Sequence, residues 1–324
     1  MPMVELVVLG SGGVMPTRER LTSSFLLSDW NGYTIILDAG EGAQLNLGLS
    51  GKSVHDIDAI ALTHDHGDHV NGVAGLLQSM AVSKRTTPLL ILGAPSAVDF
   101  VKDVLEAYEA RLGFPVKYAS LENRGTLTLY EKGGDALVLS WDRTCHTRDS
   151  VGFRLEWRLR PRIDRERLRE LGVPPGPWVK RLLEEGEAEA PGDLVVRRSD
   201  VSRPGGTLTI AYSGDTAPCE SMARLADGAD LLIHEATYTS DMAGEALERL
   251  HSSSVHAGLV ARRARARSLL LFHASPRYRG LEARRIEAEA RLVFPRSIMA
   301  WDLMRLRVAP STGGPLARTP VSHA

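Results

Sequence analysis

The sequence predicts an α/β layered fold built around a hydrolytic metal site. Two observations carry that expectation. Apolar runs of β character alternate with segments of helical periodicity along most of the chain. One unit also recurs: a strand, a short turn, then an acid or a histidine, at Asp38, His64 to His69, His146, Asp215, Glu235 and His273. Strands that each end this way bring residues from distant parts of the chain to one edge of a sheet system. The length of 324 residues allows one large domain with an insertion, or two domains.

In chain order, Val4 to Leu9 is a β-rich run ending in Gly10-Ser11-Gly12-Gly13. Both the GxGxxG pattern and the Lys-Ser/Thr of a P-loop are absent, which favours a tight turn beside a site over a phosphate cradle. Arg18 and Arg20 follow on a loop, either solvated or in contact with phosphate. Ser24 to Ser28 and Tyr33 to Leu37 read as a hairpin around Trp30-Asn31-Gly32, and its second strand delivers Asp38. Asp38 suits two roles equally: orienting a ligand imidazole, or capping the next turn. Ala43 to Leu49 suggests a short helix.

The apolar run Ile57 to Leu62 leads into ALTHDHGDHV, which packs His64, Asp65, His66, Asp68 and His69 into six positions. Histidine and aspartate suit Zn²⁺ or Mn²⁺. The spacing is too short for one face of a regular helix and fits a loop at a strand end, turning side chains toward two neighbouring metals. A helix is expected over Val70 to Val82, a strand over Pro88 to Leu92, and a helix over Ala97 to Leu112. Thr126 to Tyr130 and Ala136 to Trp141 form a predicted strand pair around Gly133-Gly134, and the second runs toward His146. A lone histidine is usually structural, but this one holds a ligand's topological position.

Ser150 to Trp157 resumes strand character, and then the texture changes. From Arg143 to Arg181 there are eleven basic and five acidic residues, in a chain whose net charge is −1. Prolines and glycines in LGVPPGPWVKRLLEEGE break regular structure, so this stretch reads as an inserted arm of short helices and turns. It is either a clamp for a phosphate backbone or a solvated excursion, and the acidic run Glu184 to Glu189 keeps the second reading open.

Thr207 to Tyr212 is the next strand, ending near Asp215, whose carboxylate can bridge two metals. Pro218 to Asp227 is helical, and Asp230 to Ile233 is a strand entering His234-Glu235-Ala236-Thr237. Asp241 to Leu250 is expected to be helical, ending at His251-Ser252-Ser253-Ser254, whose serines resemble a cap for a helix over Val255 to Ala266. Ser268 to Phe272 is a strand ending at His273. A helix over Leu281 to Leu292, a strand over Ile298 to Arg307, and a frayed tail complete the chain.

Global charge recruits neither nucleic acid nor membrane, so a nucleic-acid partner needs a local basic patch. Cys145 and Cys219 form no close-spaced pair, which argues against a disulfide framework or a cysteine-type zinc site. No apolar stretch reaches about 18 residues, and MPMVELVVLG reads as a first strand, not a signal peptide. A cytoplasmic enzyme with no membrane partner is the expectation.

These residues together resemble the metallo-β-lactamase superfamily. Its HxHxDH signature matches His64-Asp65-His66-Gly67-Asp68-His69 and implies an αβ/βα four-layer sandwich. Within it the chain resembles the ribonuclease Z family, whose members remove the 3′ trailer from precursor tRNA. Asp38-Ala39-Gly40-Glu41-Gly42 is similar to the family's DxGEG segment, His234-Glu235-Ala236-Thr237 to HEAT, and His251-Ser252-Ser253 to HST. Gly172 to Pro177 is similar to the glycine-proline motif of the arm that grips the tRNA elbow.

The resemblance implies two Zn²⁺ (or Mn²⁺), one held by His64, His66 and His146, the other by Asp68, His69 and His273, with Asp215 bridging. It implies Asp68 handling the attacking water, His251 as general acid oriented by Glu235, and Asp38 supporting a ligand from behind. Substrate contacts fall to Arg18, Arg20, Gly176 and Pro177. The expected products are a tRNA 3′-hydroxyl and a trailer 5′-phosphate. The implied organisation is a catalytic domain over 1–308, interrupted by a tRNA-binding arm over 158–206, with a flexible tail over 309–324, working as a homodimer.

The sequence departs from the family at PxKxRN, which reads Pro16-Thr17-Arg18-Glu19-Arg20-Leu21, so exclusion of CCA-bearing tRNA does not carry over. Phe272 and Ala274 flank His273 where the family has threonine and phenylalanine. Two other readings stay open. One is a hydrolase of this fold acting on a small phosphodiester, cyclic nucleotide or sulfate ester. The other is a non-catalytic RNA-binding protein with a relict site.

Overall fold

A computed structural model describes residues 2–108, 112–203, 205–310 and 317–319. The chain divides into two compact units. The first comprises Met1–Leu127, Leu139–Leu155 and Leu208–Ala324, and the second comprises Thr128–Val138 and Glu156–Thr207.

Two sheets organise the larger unit. The first runs Ala317–Thr319, Arg305–Val308, Val4–Gly10, Ser24–Ser28, Thr34–Ala39, Ala59–Leu62, Leu89–Gly93, Val116–Ser120. It is antiparallel as far as Thr34–Ala39 and parallel beyond. The second runs Ser297–Met299, Leu269–Phe272, Leu231–Glu235, Thr207–Tyr212, Val151–Arg158, Asp135–Arg143, Gly125–Lys132, and its first four strands are parallel. The parallel strands read as unbroken apolar runs because both of their faces are covered; Leu269 to Phe272 are all buried.

Phe25 of the first sheet lies 5.5 Å from the Tyr212 ring and 5.1 Å from the Phe272 ring of the second, so aromatic side chains fill the space between the sheets. Pro95–Ala107 packs on the parallel half of the first sheet, while Ser254–Arg263 and Ala283–Val293 pack on the second. Helices, sheet, sheet and helices give an αβ/βα sandwich. Asp38, His64, Asp215, Glu235 and His273 sit at or just past the carboxyl ends of parallel strands, where open α/β sheets present their ligands.

Several boundaries differ from expectation. The expected helix over Val70 to Val82 begins earlier and breaks at Asn71, giving Gly67–Val70 and Gly72–Val82. The His66 carbonyl accepts from His69 and Val70 backbone N–H groups, so Asp68 and His69 ride on a helical turn, not a loop. The helix expected over Ala97 to Leu112 is Pro95–Ala107; Tyr108 caps it and is exposed, and residues 109–111 lie outside the described residues.

The run Ile298 to Arg307 is not one strand. Ser297–Met299 joins the second sheet and Arg305–Val308 the first, with Leu303 at φ +62° between them. Most of the expected tail lies outside the described residues, although Ala317–Thr319 pairs with Arg305–Val308.

The smaller unit has its own core, made of Leu168, Val173, Trp178, Leu182, Ala190, Val196 and Val201. Its helices Arg165–Glu170 and Trp178–Glu185 were expected in kind. Its two antiparallel ladders were not: Glu187–Ala190 with Leu194–Arg197, and Arg162–Ile163 with Ser202–Arg203. Gly186 at φ +88° ends the second helix, and so splits the acidic run between a helix and a strand.

Candidate metal centre

Seven side chains from four strand ends converge. His64, His66, His146 and Asp215 form one group able to hold a metal, and Asp68, His69, Asp215 and His273 form a second. Asp215 belongs to both. Its Oδ2 lies 3.9 Å from His64 Nε2 and 3.8 Å from His146 Nε2, while its Oδ1 lies 3.2 Å from His69 Nε2. His273 Nε2 is 3.2 Å from Asp215 Oδ2 and 3.1 Å from Asp68 Oδ2.

The hydrogen bonds behind the rings fix which nitrogen faces inward. His69 Nδ1 donates to Asp38 Oδ2 at 2.7 Å. His146 Nδ1 donates to the Leu250 carbonyl at 2.9 Å. Thr63 Oγ1 donates to Asp38, so it accepts from His64 Nδ1 at 3.0 Å. Thr237 Oγ1 donates to Glu235, so it accepts from His273 Nδ1 at 2.8 Å. Each ring therefore turns its Nε2 toward the centre, as a ligating histidine with an outward partner does.

Among the described residues, His64 Nε2, His69 Nε2 and Asp215 Oδ1 are buried with no hydrogen-bond partner. Such atoms are costly to leave unsatisfied. A cation among them would satisfy all three, so the donor set fits a divalent metal.

The electrostatics agree with this. Burial, and then the neighbouring His69, hold His64 well below the usual histidine range, and burial also lowers His146. Both stay neutral and able to ligate. For His69, burial is outweighed by the carboxylates of Asp215, Asp38 and Asp68, which raise it well above the ordinary value. Binding of a metal must displace that proton. Asp215 resists the upward push of burial because His273 and His69 stand beside it, and it is held well below the carboxylate range.

The two open roles of Asp38 are resolved by its contacts. It is fully buried, accepts from Thr63 N–H and Oγ1, from His69, and from Tyr212 Oη at 2.7 Å, and stands at φ +52°. From the sequence alone no site role fell to Thr63 or Tyr212, whose signal was position only at or beside a strand end, and Thr237 entered only as the last residue of the HEAT-like segment. The Gly12-Gly13 turn packs against the centre: a side chain at Gly13 would collide with the His273 ring, and Val14 N–H donates to Asp68 Oδ2 at 2.6 Å.

A second layer adjoins the ligands. His251 Nδ1 donates to Glu235 Oε1 at 2.8 Å, and Glu235 also accepts from Thr216 N–H and Thr237. Burial pushes His251 down, but the Glu235 charge and hydrogen bond, with Asp215 and Asp68 behind, raise it to about 9. His251 is thus an imidazolium at neutral pH with its Nδ1 proton committed to Glu235. Glu235, His251 and His273 also form a third group of metal-competent atoms.

The arginines divide. Arg18 is exposed and, with Arg279, lines a cleft of about 360 Å³ beside Gly13 and Ala274. Arg20 is not the solvent-facing contact expected. It is 4% exposed, donates to Ser11 Oγ and the Ala300 carbonyl, and lies over the Trp301 ring at 4.0 Å. The half-buried carboxylate of Asp302, which accepts from Ser11 and from the Leu21 N–H, holds that end of the loop in place. Gly176 and Pro177 lie in the smaller unit, where Pro177 starts the helix Trp178–Glu185 and the Trp178 indole donates to the Pro174 carbonyl at 3.1 Å. Arg165 and Arg169 border a cleft beside Gly172 and Pro174 in that unit.

Comparison with known proteins supplies an independent view. A family model described as anti-Pycsar protein Apyc1 matches residues 4–149. The chain is 43% identical over 309 residues to a ribonuclease Z of Aeropyrum pernix, covering 95% of this chain and 99% of that protein. It is 39% identical over 274 residues to a ribonuclease Z of Salinibacter ruber, covering 83% and 84%. Among solved structures, the short form of human tRNase Z superposes with a TM-score of 0.64 at 23% identity, covering 93% of this chain and 98% of that one. The metallo-β-lactamase fold protein YhfI of Bacillus subtilis gives 0.65 at 20% identity, covering 95% and 100%. These structures share the metallo-β-lactamase fold with this chain.

Proposed function

The chain belongs to the ribonuclease Z family, and from that premise we propose how its residues carry out the family's reaction. It is a metal-dependent endoribonuclease of the metallo-β-lactamase fold that removes the 3′ trailer from precursor tRNA. The observation that carries the reading is the pairing of two metal-competent groups through Asp215 with the hydrogen-bonded pair His251 and Glu235 beside them. The metals are proposed to be two Zn²⁺, with Mn²⁺ as the substitute, held as His64, His66, His146 and Asp68, His69, His273 about the bridging Asp215. When bound, they supply Lewis acidity toward water and the scissile phosphate.

The remaining chemistry belongs to the chain. Asp68, anchored by the Val14 N–H, orients the attacking water and takes up its proton. His251 gives a proton to the ribose 3′ oxygen as that bond breaks, leaving a tRNA 3′-hydroxyl and a trailer 5′-phosphate. Glu235 holds His251 in place and in its acid form. In Glu235→Gln the charge that raises His251 is gone, so its pKa falls from about 9 toward the ordinary value. A general acid is lost above its pKa, so the alkaline limb of the kcat–pH profile should move to lower pH. An unmoved limb would remove His251 from the acid role.

The arm is proposed to grip tRNA through Arg165, Arg169 and the Gly172–Pro177 turn. Deleting 158–206 should raise KM for precursor tRNA and flatten its salt dependence while sparing turnover of a small phosphodiester. Equal losses on both substrates would contradict a binding role. Arg18 is proposed to meet phosphate at the cleft. No described helix is long and apolar enough to cross a membrane. We place the enzyme in the cytoplasm, as a homodimer. The exposed Leu45 and Leu49 beside Gly48 and Gly75 support an apolar contact, and a monomer mass in sedimentation would oppose it.

A further inference from the structure

The structure assigns Cys145 and Cys219 as a reversible disulfide site beside the metal centre. They are 74 positions apart in the chain, yet the fold makes them neighbours. Cys145 forms an antiparallel bridge with Ala217: the Ala217 N–H donates to the Cys145 carbonyl at 2.9 Å. The Cys145 N–H donates to Thr216 Oγ1 at 3.0 Å, and that same hydroxyl lies 3.5 Å from Cys219 Sγ. The two cysteine side chains are near enough to interact directly. Both thiols are free, Cys145 exposed and Cys219 half-buried.

The location gives the pair its consequence. Cys145 precedes His146, and Cys219 follows Asp215 by four positions, so the bond would tie two ligand-bearing segments together. The closed loop also contains the whole of Glu156–Thr207. The oxidant is a small-molecule disulfide, RSSR. The more exposed Cys145 sulfur attacks one sulfur of RSSR; that S–S bond breaks, and the first RS group leaves with the electron pair and takes up the proton Cys145 gave up. Cys219 sulfur then attacks the Cys145 sulfur and expels the second RS group in the same way. The protein loses two electrons and two protons, and RSSR becomes two RSH.

The test uses the full chain carrying a specific protease site in the exposed Pro191-Gly192-Asp193 turn, treated with oxidised glutathione. The expected result is loss of both titratable thiols with no glutathione retained in the intact mass. After cleavage the two fragments should stay joined on a denaturing gel until reductant is added. In Cys145→Ser and in Cys219→Ser they should separate without it, and the remaining thiol should keep a glutathione adduct or stay free. The unfolding midpoint of the uncut oxidised protein should rise by roughly 5–10 °C. Two retained adducts, a disulfide between chains, or thiols that stay reduced in the parent would each overturn the proposal.

Discussion

Asp68→Ala is expected to lose at least about 10³-fold in turnover of precursor tRNA and about one bound ion, as read by single-turnover kinetics and metal analysis. The side chain does three things at once. Its Oδ2 stands 3.1 Å from His273 Nε2 and 3.8 Å from His69 Nε2, so it completes the second ligand group. It anchors the Gly12-Gly13-Val14 turn through the Val14 N–H. It is also held below the usual carboxylate range, because His69 and His273 overcome the upward push of burial, and so it is an ionised acceptor throughout the working pH range. Alanine removes all three. Full metal content with full activity would exclude Asp68 from the centre.

His251→Ala separates chemistry from metal binding. Its ring lies behind the ligands, donating to Glu235 at 2.8 Å, with Nδ1 3.9 Å from Asp215 Oδ2. With the general acid gone, kcat should fall about 10²–10⁴-fold while both ions stay bound. A better leaving group, needing no proton, should recover much of the loss. Because Glu235, His251 and His273 themselves form a metal-competent group, the opposite outcome has a clear meaning: loss of an ion in His251→Ala would make it a ligand.

The residues gathered at the candidate centre were legible because each strand end breaks an apolar run with a residue that has no place in a core. Asp38, His64, Asp215 and His273 all follow that rule, and the parallel strands then bring them to one edge. Orientation was not legible. Whether Asp38 capped a turn or held a ring depended on Thr63, His69 and Tyr212, which meet only in three dimensions. Arg20 misled for a related reason: a loop arginine reads as solvated, but Ser11, Ala300 and Trp301 come from both ends of the chain to cover it.

Val116–Ser120 was missed because an edge strand with mostly exposed side chains shows no apolar run. The arm's acidic run kept open the reading of a solvated excursion, but Gly186 divides it between the end of a helix and a hairpin strand. The proposed cysteine pair has no close spacing in the sequence and rests on the bridge between Cys145 and Ala217. Sequence distance says little about two residues at facing strand ends.

The most direct test is cleavage of precursor tRNAs, with and without CCA, by the Zn²⁺- or Mn²⁺-loaded enzyme, mapped to one nucleotide. The account predicts a single cut releasing the trailer, with a 3′-hydroxyl on the tRNA and a 5′-phosphate on the trailer. A precursor left intact by metal-loaded enzyme that still turns over a small phosphodiester would contradict it.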